Sequence, residues 1–303
     1  MEDLTDSRAV FRRYEALRER LPAMPPRTGE PLRVESLADV IDRYDAFVLD
    51  GFGVLNVGGS AIPGAPERIA ALRAAGKTVI VLTNAASYPS AMSVAKYDAL
   101  GFDFKQGEIV SSRDVALTGM AQFPAGTTWG ATSAGAGSLD GLAAAALEDA
   151  SAPYAQTDAI LYLSGDAWDR ARQARLVEAL KERPRRVVVA NPDLVAPRED
   201  GLSIEPGAWA HSLMDELGDV EIGFYGKPFA NAFEAVLARL GADAPPPERI
   251  AMVGDTLHTD ILGGAAAGWG TILITDHGIF RGLDVDPFIA ASDLVPDVIA
   301  RTT

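Results

Sequence analysis

The chain has 303 residues, 48% of them apolar, a formal net charge of −15 and no cysteine. That length supports a large core in one or two domains, and the missing thiols exclude disulfides, thiolate metal sites and cysteine nucleophiles, so any metal is expected to be a hard cation held by oxygen. The acidic balance repels a phosphate backbone, only three histidines are present to build a metal cluster, and no apolar run approaches the ~20 residues of a membrane span; a cytoplasmic protein with no nucleic-acid or membrane partner is the expectation.

Residues 1–35 read as a helical extension docked on the body, with an amphipathic helix over 7–21 ended by Pro22, Pro25, Pro26 and Pro31. Short β-branched runs then alternate with helical periods: a strand at 46–50, a helix near 66–75, a strand at 78–84, a helix near 89–100 and a strand at 108–112. The same alternation returns with strands at 222–227, 250–255 and 271–275 around helices near 230–240 and from about 260. Continuous apolar strands alternating with helices imply βαβ crossovers, and so an α/β fold with a doubly wound parallel sheet. Between the two halves, the Ala- and Gly-rich block 113–207 carries its own strands at 127–132, 159–164 and 185–191 and helical stretches GSLDGLAAAALEDA and DRARQARLVEALKER. It reads as an inserted α/β domain, which makes 36–112 and 208–303 the core domain; one larger uninterrupted sheet is the competing arrangement.

Ligands of open parallel sheets sit outside the carboxyl ends of the strands. Four polar clusters fall at expected strand ends: Asp50 with the loop Gly51, Phe52 and Gly53; Thr83 with Asn84; Lys227; and Asp255 with Asp260 five residues on. A carboxylate opening into a glycine-rich loop suits a nucleophile beside free backbone N–H groups, a hydroxyl and an amide suit phosphoryl oxygens, and a lysine suits an anion. Any one cluster is equally well a helix cap, a turn or a solvated charge. All four in order are not. Trp129, Trp168, Trp209 and Trp269 read as core or domain-junction residues; Arg198, Glu199 and Asp200 read as surface charge, ahead of a role in tuning specificity from the cap loop.

DGFGVL, VLTNAAS, GKP and MVGDTLHTDILGG, in that order, resemble the four motifs of the haloacid dehalogenase (HAD) superfamily. NPDLVAPREDG followed by EPGAWA resembles the cap segment of its class IIA phosphatases, whose large cap is inserted where 113–207 lies. The resemblance implies a Rossmann-like core with a cap, and a hydrolase in which Asp50 attacks a phosphoryl group to give an aspartyl-phosphate. Thr83 and Lys227 would bind the phosphoryl oxygens, Lys227 keeping Asp50 ionised, with Gly51, Phe52, Gly53 and Asn84 shaping the substrate loop and Asn191 and Asp193 contributing from the cap. Mg2+ would be ligated by Asp50, the backbone carbonyl of Phe52 and Asp255, with Asp260 completing the metal set by orienting the loop or a metal-bound water. A small phosphorylated metabolite is the implied partner; monomer and homodimer both stay open.

One residue departs from the pattern. Phosphatases of the superfamily place a second aspartate two residues after the nucleophile, where this chain has Phe52. That aspartate transfers the leaving-group proton, a role worth typically ~10²–10⁴-fold in rate. A metal-dependent phosphatase therefore leads, ahead of a pseudoenzyme that binds a phosphorylated ligand and of a dehalogenase, whose DxYG pattern DGFGVL also resembles. Asp193 and His258 are the candidate replacement donors; His258 reads more readily as a solvent-facing helix-start residue, and the alternative for Asp193 is an ordinary Asx-turn.

Overall fold

The computed structural model describes residues 4–27, 29–148 and 152–303. Seven strands form a fully parallel sheet in the order Leu32–Ser36, Val298–Thr302, Gly270–Ile274, Ile250–Gly254, Ala46–Leu49, Thr78–Thr83, Ile109–Ser111. The central strands are apolar throughout because both faces are covered. Phe47, Leu49, Val79, Val81, Ala251 and Val253 enter one core, whereas Ala46, Val48, Ile80, Leu82, Ile250 and Met252 enter the other. Helices Ala65–Ala74, Ser90–Ala99 and Ala230–Leu240 lie between strands as crossovers and supply the covering layers.

A second parallel sheet has five strands in the order Ile222–Phe224, Val187–Val189, Ala159–Tyr162, Trp129–Thr132, Ala144–Ala146. Leu176, Val177 and Leu180 of helix Arg170–Glu182 and Trp209 and Leu213 of helix Pro206–Leu217 pack on it. An antiparallel ribbon, Val195–Arg198 with Gly201–Ile204, leaves this sheet toward the first. The fold is thus the doubly wound parallel sheet with an inserted α/β cap. All four tryptophans are buried.

Four expectations need correction. The strand expected in the core at 222–227 pairs instead with the second sheet, Val187 opposite Ile222 and Val189 opposite Phe224, so 208–303 is not wholly core. The stretch GSLDGLAAAALEDA forms no helix over its described residues; Ala144–Ala146 is an edge strand beside Trp129–Thr132, and its residues 149 and 150 lie outside those described. Alanine's helix preference is a weak prior, and strand pairing overrides it here. A Cβ on Gly130 of the neighbouring strand would lie 2.9 Å from the Leu147 side chain, so the two segments meet closely enough to demand this partner. The extension 1–35 is not purely helical, since Leu32–Ser36 is an edge strand of the core sheet. Its helix is Ser7–Ala16, followed by one 3-10 turn, Arg18–Arg20, because Pro22 forces Leu21 into extended backbone.

Candidate active site

Asp50, Thr83 and Asp255 close three adjacent strands of the core sheet, with Ile250–Gly254 and Thr78–Thr83 flanking Ala46–Leu49. The ladder runs right to Asp50, whose N–H donates to the Val253 carbonyl at 2.8 Å. Lys227 arrives from the other layer, on the loop that leaves Ile222–Phe224 and enters helix Ala230–Leu240. Its backbone is pinned reciprocally to Asn84: the Lys227 N–H donates to Asn84 Oδ1 at 2.8 Å, and Asn84 Nδ2 donates to the Lys227 carbonyl at 2.9 Å. The ammonium is 1% exposed and lies 2.6 Å from both Asp50 Oδ1 and Asp260 Oδ1.

Carboxylate oxygens of Asp50, Asp255 and Asp260 all lie within 4.8 Å of one another. Burial works against the Lys227 charge, but Asp260, Asp50 and Asp193 outweigh it and hold the ammonium well above its ordinary range. The acids show the reverse imbalance. Burial first, then Asp260 and Asp50, push the Asp255 carboxyl up, and burial raises Asp260 despite its contact with Lys227. Three carboxylates facing one ammonium leave a surplus of two negative charges, which an oxygen-liganded divalent cation offsets. The donor set therefore fits a hard divalent cation. Asp260 has both oxygens occupied, Oδ1 by Lys227 and Oδ2 by the Thr256 N–H at 3.1 Å, which makes it an orienting group of the loop. That loop is a widened turn, Leu257–Ile261, ahead of helix Leu262–Ala266.

Glycine is demanded on both sides of Phe52. A Cβ on Gly51 would lie 2.7 Å from the Tyr97 hydroxyl and 3.3 Å from Thr83 Oγ1. Gly53, at φ +78°, would drive one to 2.6 Å from the Asp255 carboxyl. Phe52 itself holds two cations against its ring: Lys96 Nζ is 4.4 Å from the centroid and Arg198 Cζ 5.0 Å. Burial, and next the charge of Arg198, lower Lys96 to about 8 against the pull of Asp50.

The cap segment completes the walls of a cavity of about 460 Å³ lined by Asp50, Phe52, Thr83, Asn84, Lys96, Asn191, Asp193, Arg198 and Asp255. Asp193 accepts from Asn84 Nδ2 at 2.8 Å, and Asn191 positions it by accepting the Asp193 N–H at 3.0 Å while donating to Glu205 at 3.1 Å. Burial holds the Asp193 carboxyl well above the usual carboxylate range, more than Lys227 draws it down. His258 is turned away from this cavity. It is buried, stacked on Tyr14 at 4.8 Å and bound to Glu15 at 2.5 Å, so it is neither the solvent-facing residue expected nor a proton donor for the cavity.

The structure thus brings together Asp50, Gly51, Phe52, Gly53, Thr83, Asn84, Asn191, Asp193, Lys227, Asp255 and Asp260. The reading of 198–200 as surface charge fails at Arg198 and holds at Glu199, which is exposed but has a structural partner. Arg198 lies on Phe52, and Glu199 accepts the Gly59 N–H at 2.6 Å, joining the cap ribbon to the small hairpin of Asn56–Val57 and Ser60–Ala61. Lys96 was unforeseen. It sits in helix Ser90–Ala99 in a run of ordinary helix formers, and nothing local marks it. Asp6, Arg13, Tyr14 and Arg20 gain roles equally invisible in sequence: Tyr14 accepts the Leu194 N–H at 3.1 Å, and Arg13 and Arg20 pair with Asp215 of the cap helix. Asp6 caps the helix by accepting from Ala9.

Comparison with known proteins agrees with this geometry. Residues 47–136 match the family model of haloacid dehalogenase-like hydrolases, and residues 224–301 match a HAD-hydrolase-like model. The chain is 30% identical over 281 residues to chronophin of Bos taurus, covering 88% of this chain and 93% of that one. It is 28% identical over 289 residues to glycerol-3-phosphate phosphatase of Homo sapiens, covering 86% and 88%. The crystal structure of a possible sugar phosphatase of the HAD superfamily from Cytophaga hutchinsonii superposes with a TM-score of 0.77 at 25% identity, over 90% of this chain and 98% of that chain.

Proposed function

Because the chain belongs to the haloacid dehalogenase-like hydrolases, we propose that it is a magnesium-dependent phosphatase acting on a small phosphorylated metabolite through an aspartyl-phosphate at Asp50. The observation that carries this reading is the placement of Asp50, Thr83 and Asp255 on neighbouring strand ends with the Lys227 ammonium 2.6 Å from Asp50. The relatives chronophin and glycerol-3-phosphate phosphatase support the same reaction class.

In this mechanism the Lys227 ammonium, 2.6 Å from Asp50, holds one carboxylate oxygen, and the other attacks phosphorus in line with the departing alkoxide. Thr83 Oγ1 and Lys227 bind the phosphoryl oxygens, so the work is positioning plus electrostatic stabilisation. Asp50, the Phe52 carbonyl and Asp255 would hold magnesium, with Asp260 orienting the loop. When bound, the ion neutralises the repulsion between a phosphoryl dianion and the carboxylates. Phe52 has no proton to give, and Asp193 takes that role: its burial favours the protonated form, and its hydrogen bond from Asn84 fixes it on the cavity wall. Asp193 protonates the leaving oxygen, and as a carboxylate it then accepts a proton from the water that hydrolyses the aspartyl-phosphate.

We also take the second sheet, with its ribbon and helices, as the cap domain, whose inner wall selects the leaving group. The test of the function is phosphate release from 4-nitrophenyl phosphate with magnesium. Turnover that Asp50→Asn lowers by at least about 10³-fold fits covalent catalysis. Magnesium-loaded protein that binds the ester without releasing phosphate would move the assignment to a phosphate-ligand-binding pseudoenzyme.

A further inference from the structure

The cavity wall around Phe52 carries an unusual charge arrangement. Lys96 comes from the core helix Ser90–Ala99 and Arg198 from the cap ribbon Val195–Arg198, yet both bring their positive charge to the same Phe52 ring, at 4.4 and 5.0 Å. The two like charges repel, and their nearest acids do not cancel them. Arg198 is partly offset by Glu205 at 3.2 Å, while Glu199 is directed to the Gly59 N–H. Lys96 makes no ion pair among the described residues; its polar neighbour is Asn56 Oδ1 at 3.5 Å. A partly buried ammonium with no ion-pair partner of its own is costly unless a ligand completes the pairing, and the pull of Asp50 across the cavity is outweighed by burial and by Arg198. The phenyl face attracts both cations weakly and holds them in place without neutralising them.

These groups line the same cavity as Asp50 and Thr83. We infer that Lys96 and Arg198, held on the Phe52 ring, form a second anion subsite, so that the substrate is a phosphomonoester whose leaving group bears its own anionic group, a carboxylate or a second phosphate. This rests on the phosphatase reading, because it needs the phosphoryl group at Asp50. It also gives Phe52 a use: an aspartate there would bring its own negative charge between the two cations and compete with the ligand for them. A leaving group bound to Lys96 of the core and Arg198 of the cap would bridge the two layers.

The experiment measures binding, not turnover. The magnesium-loaded full chain is titrated with ω-carboxyalkylphosphonates having two to four methylenes, with n-alkylphosphonates of matched length, and with the same chains ending in a second phosphonate. None can be hydrolysed, so the result does not depend on catalysis. The subsite requires that at least one doubly anionic chain bind tenfold or more tighter than its neutral match, and the carboxylate and phosphonate arms show which anion it prefers. Lys96→Met and Arg198→Met, each confirmed folded by its thermal transition, should each cut that preference to threefold or less. Equal affinity of charged and neutral chains in the wild type, or an unchanged preference in both variants, would overturn the subsite while leaving the phosphoryl site standing. If no phosphonate binds at all, the phosphoryl reading has failed and the subsite with it.

Discussion

At the phosphoryl end of the cavity, Asp50, Thr83 and Asp255 each close a strand of one sheet, whereas at the leaving-group end Phe52, Lys96, Asp193 and Arg198 come from a loop, a helix and the cap segment. The first set is positioned by ladder hydrogen bonds between buried strands, and the charges there are paired at 2.6 Å. The second is positioned by contacts between layers, with charges held against an aromatic ring. In the proposed mechanism the strand ends serve the phosphoryl group and the interlayer wall serves the leaving group.

The contrast can be broken most forcefully at Lys227. Lys227→Met is expected to lower kcat/KM by at least about 10³-fold for every phosphomonoester, because it removes the charge that both holds the Asp50 carboxylate and binds the phosphoryl group. Loss confined to one class of leaving group would mean that Lys227 does not serve the phosphoryl end. Asp193→Asn is expected to behave in the opposite way. Alkyl phosphates should lose about 10²–10⁴-fold in kcat, and 4-nitrophenyl phosphate, whose leaving group needs no proton, less than about tenfold. Equal losses on the two esters would remove Asp193 from proton transfer.

A smaller effect sharpens the role of Phe52. Introducing Phe52→Asp into the Asp193→Asn protein supplies a carboxyl two residues after Asp50, and alkyl phosphate turnover should rise about tenfold or more above that of Asp193→Asn alone. No rise would show that a carboxyl at 52 cannot reach the leaving oxygen.

The smallest effect lies in the cap scaffold, outside both ends. His211 is 1% exposed, stacked on Phe224 at 4.9 Å, and lowered to about 3 by burial, then by Arg20 and Arg13. Its folded pKa is below the ordinary ~6.5, so the stability it contributes is complete above that value and is lost as pH falls from there toward the folded pKa. Over that window, urea unfolding should lose up to about 1.4 kcal/mol per pH unit from this one site. His211→Leu should unfold with a correspondingly shallower acid limb; parallel limbs would show that His211 is not kept neutral in the native state.

What was legible in the sequence follows the same division. Asp50, Thr83 and Asp255 could be found because each ends an apolar run, and the run's burial on both faces dictates that its end opens into a cleft. Lys227 was found for a partly mistaken reason, since Ile222–Phe224 lies in the second sheet and not the core. A short apolar strand carries no mark of which sheet receives it. Ala144–Ala146 failed differently, because edge pairing with Trp129–Thr132 outweighed alanine's local preference. Lys96 was hidden, and Arg198 was ranked as surface charge ahead of a specificity role, because the meaning of both depends on Phe52, a residue remote from them in the chain, and a solvated cation and a cavity cation are spelled alike.

The account depends most on Asp50 becoming covalently phosphorylated. Rapid acid quench of the magnesium-loaded protein during turnover of 4-nitrophenyl phosphate, followed by peptide mass spectrometry, should place a phosphoryl group on the peptide containing Asp50 and none on that of Asp50→Asn. Steady phosphate release with no phosphorylated Asp50 peptide, or with turnover preserved in Asp50→Asn, would contradict it.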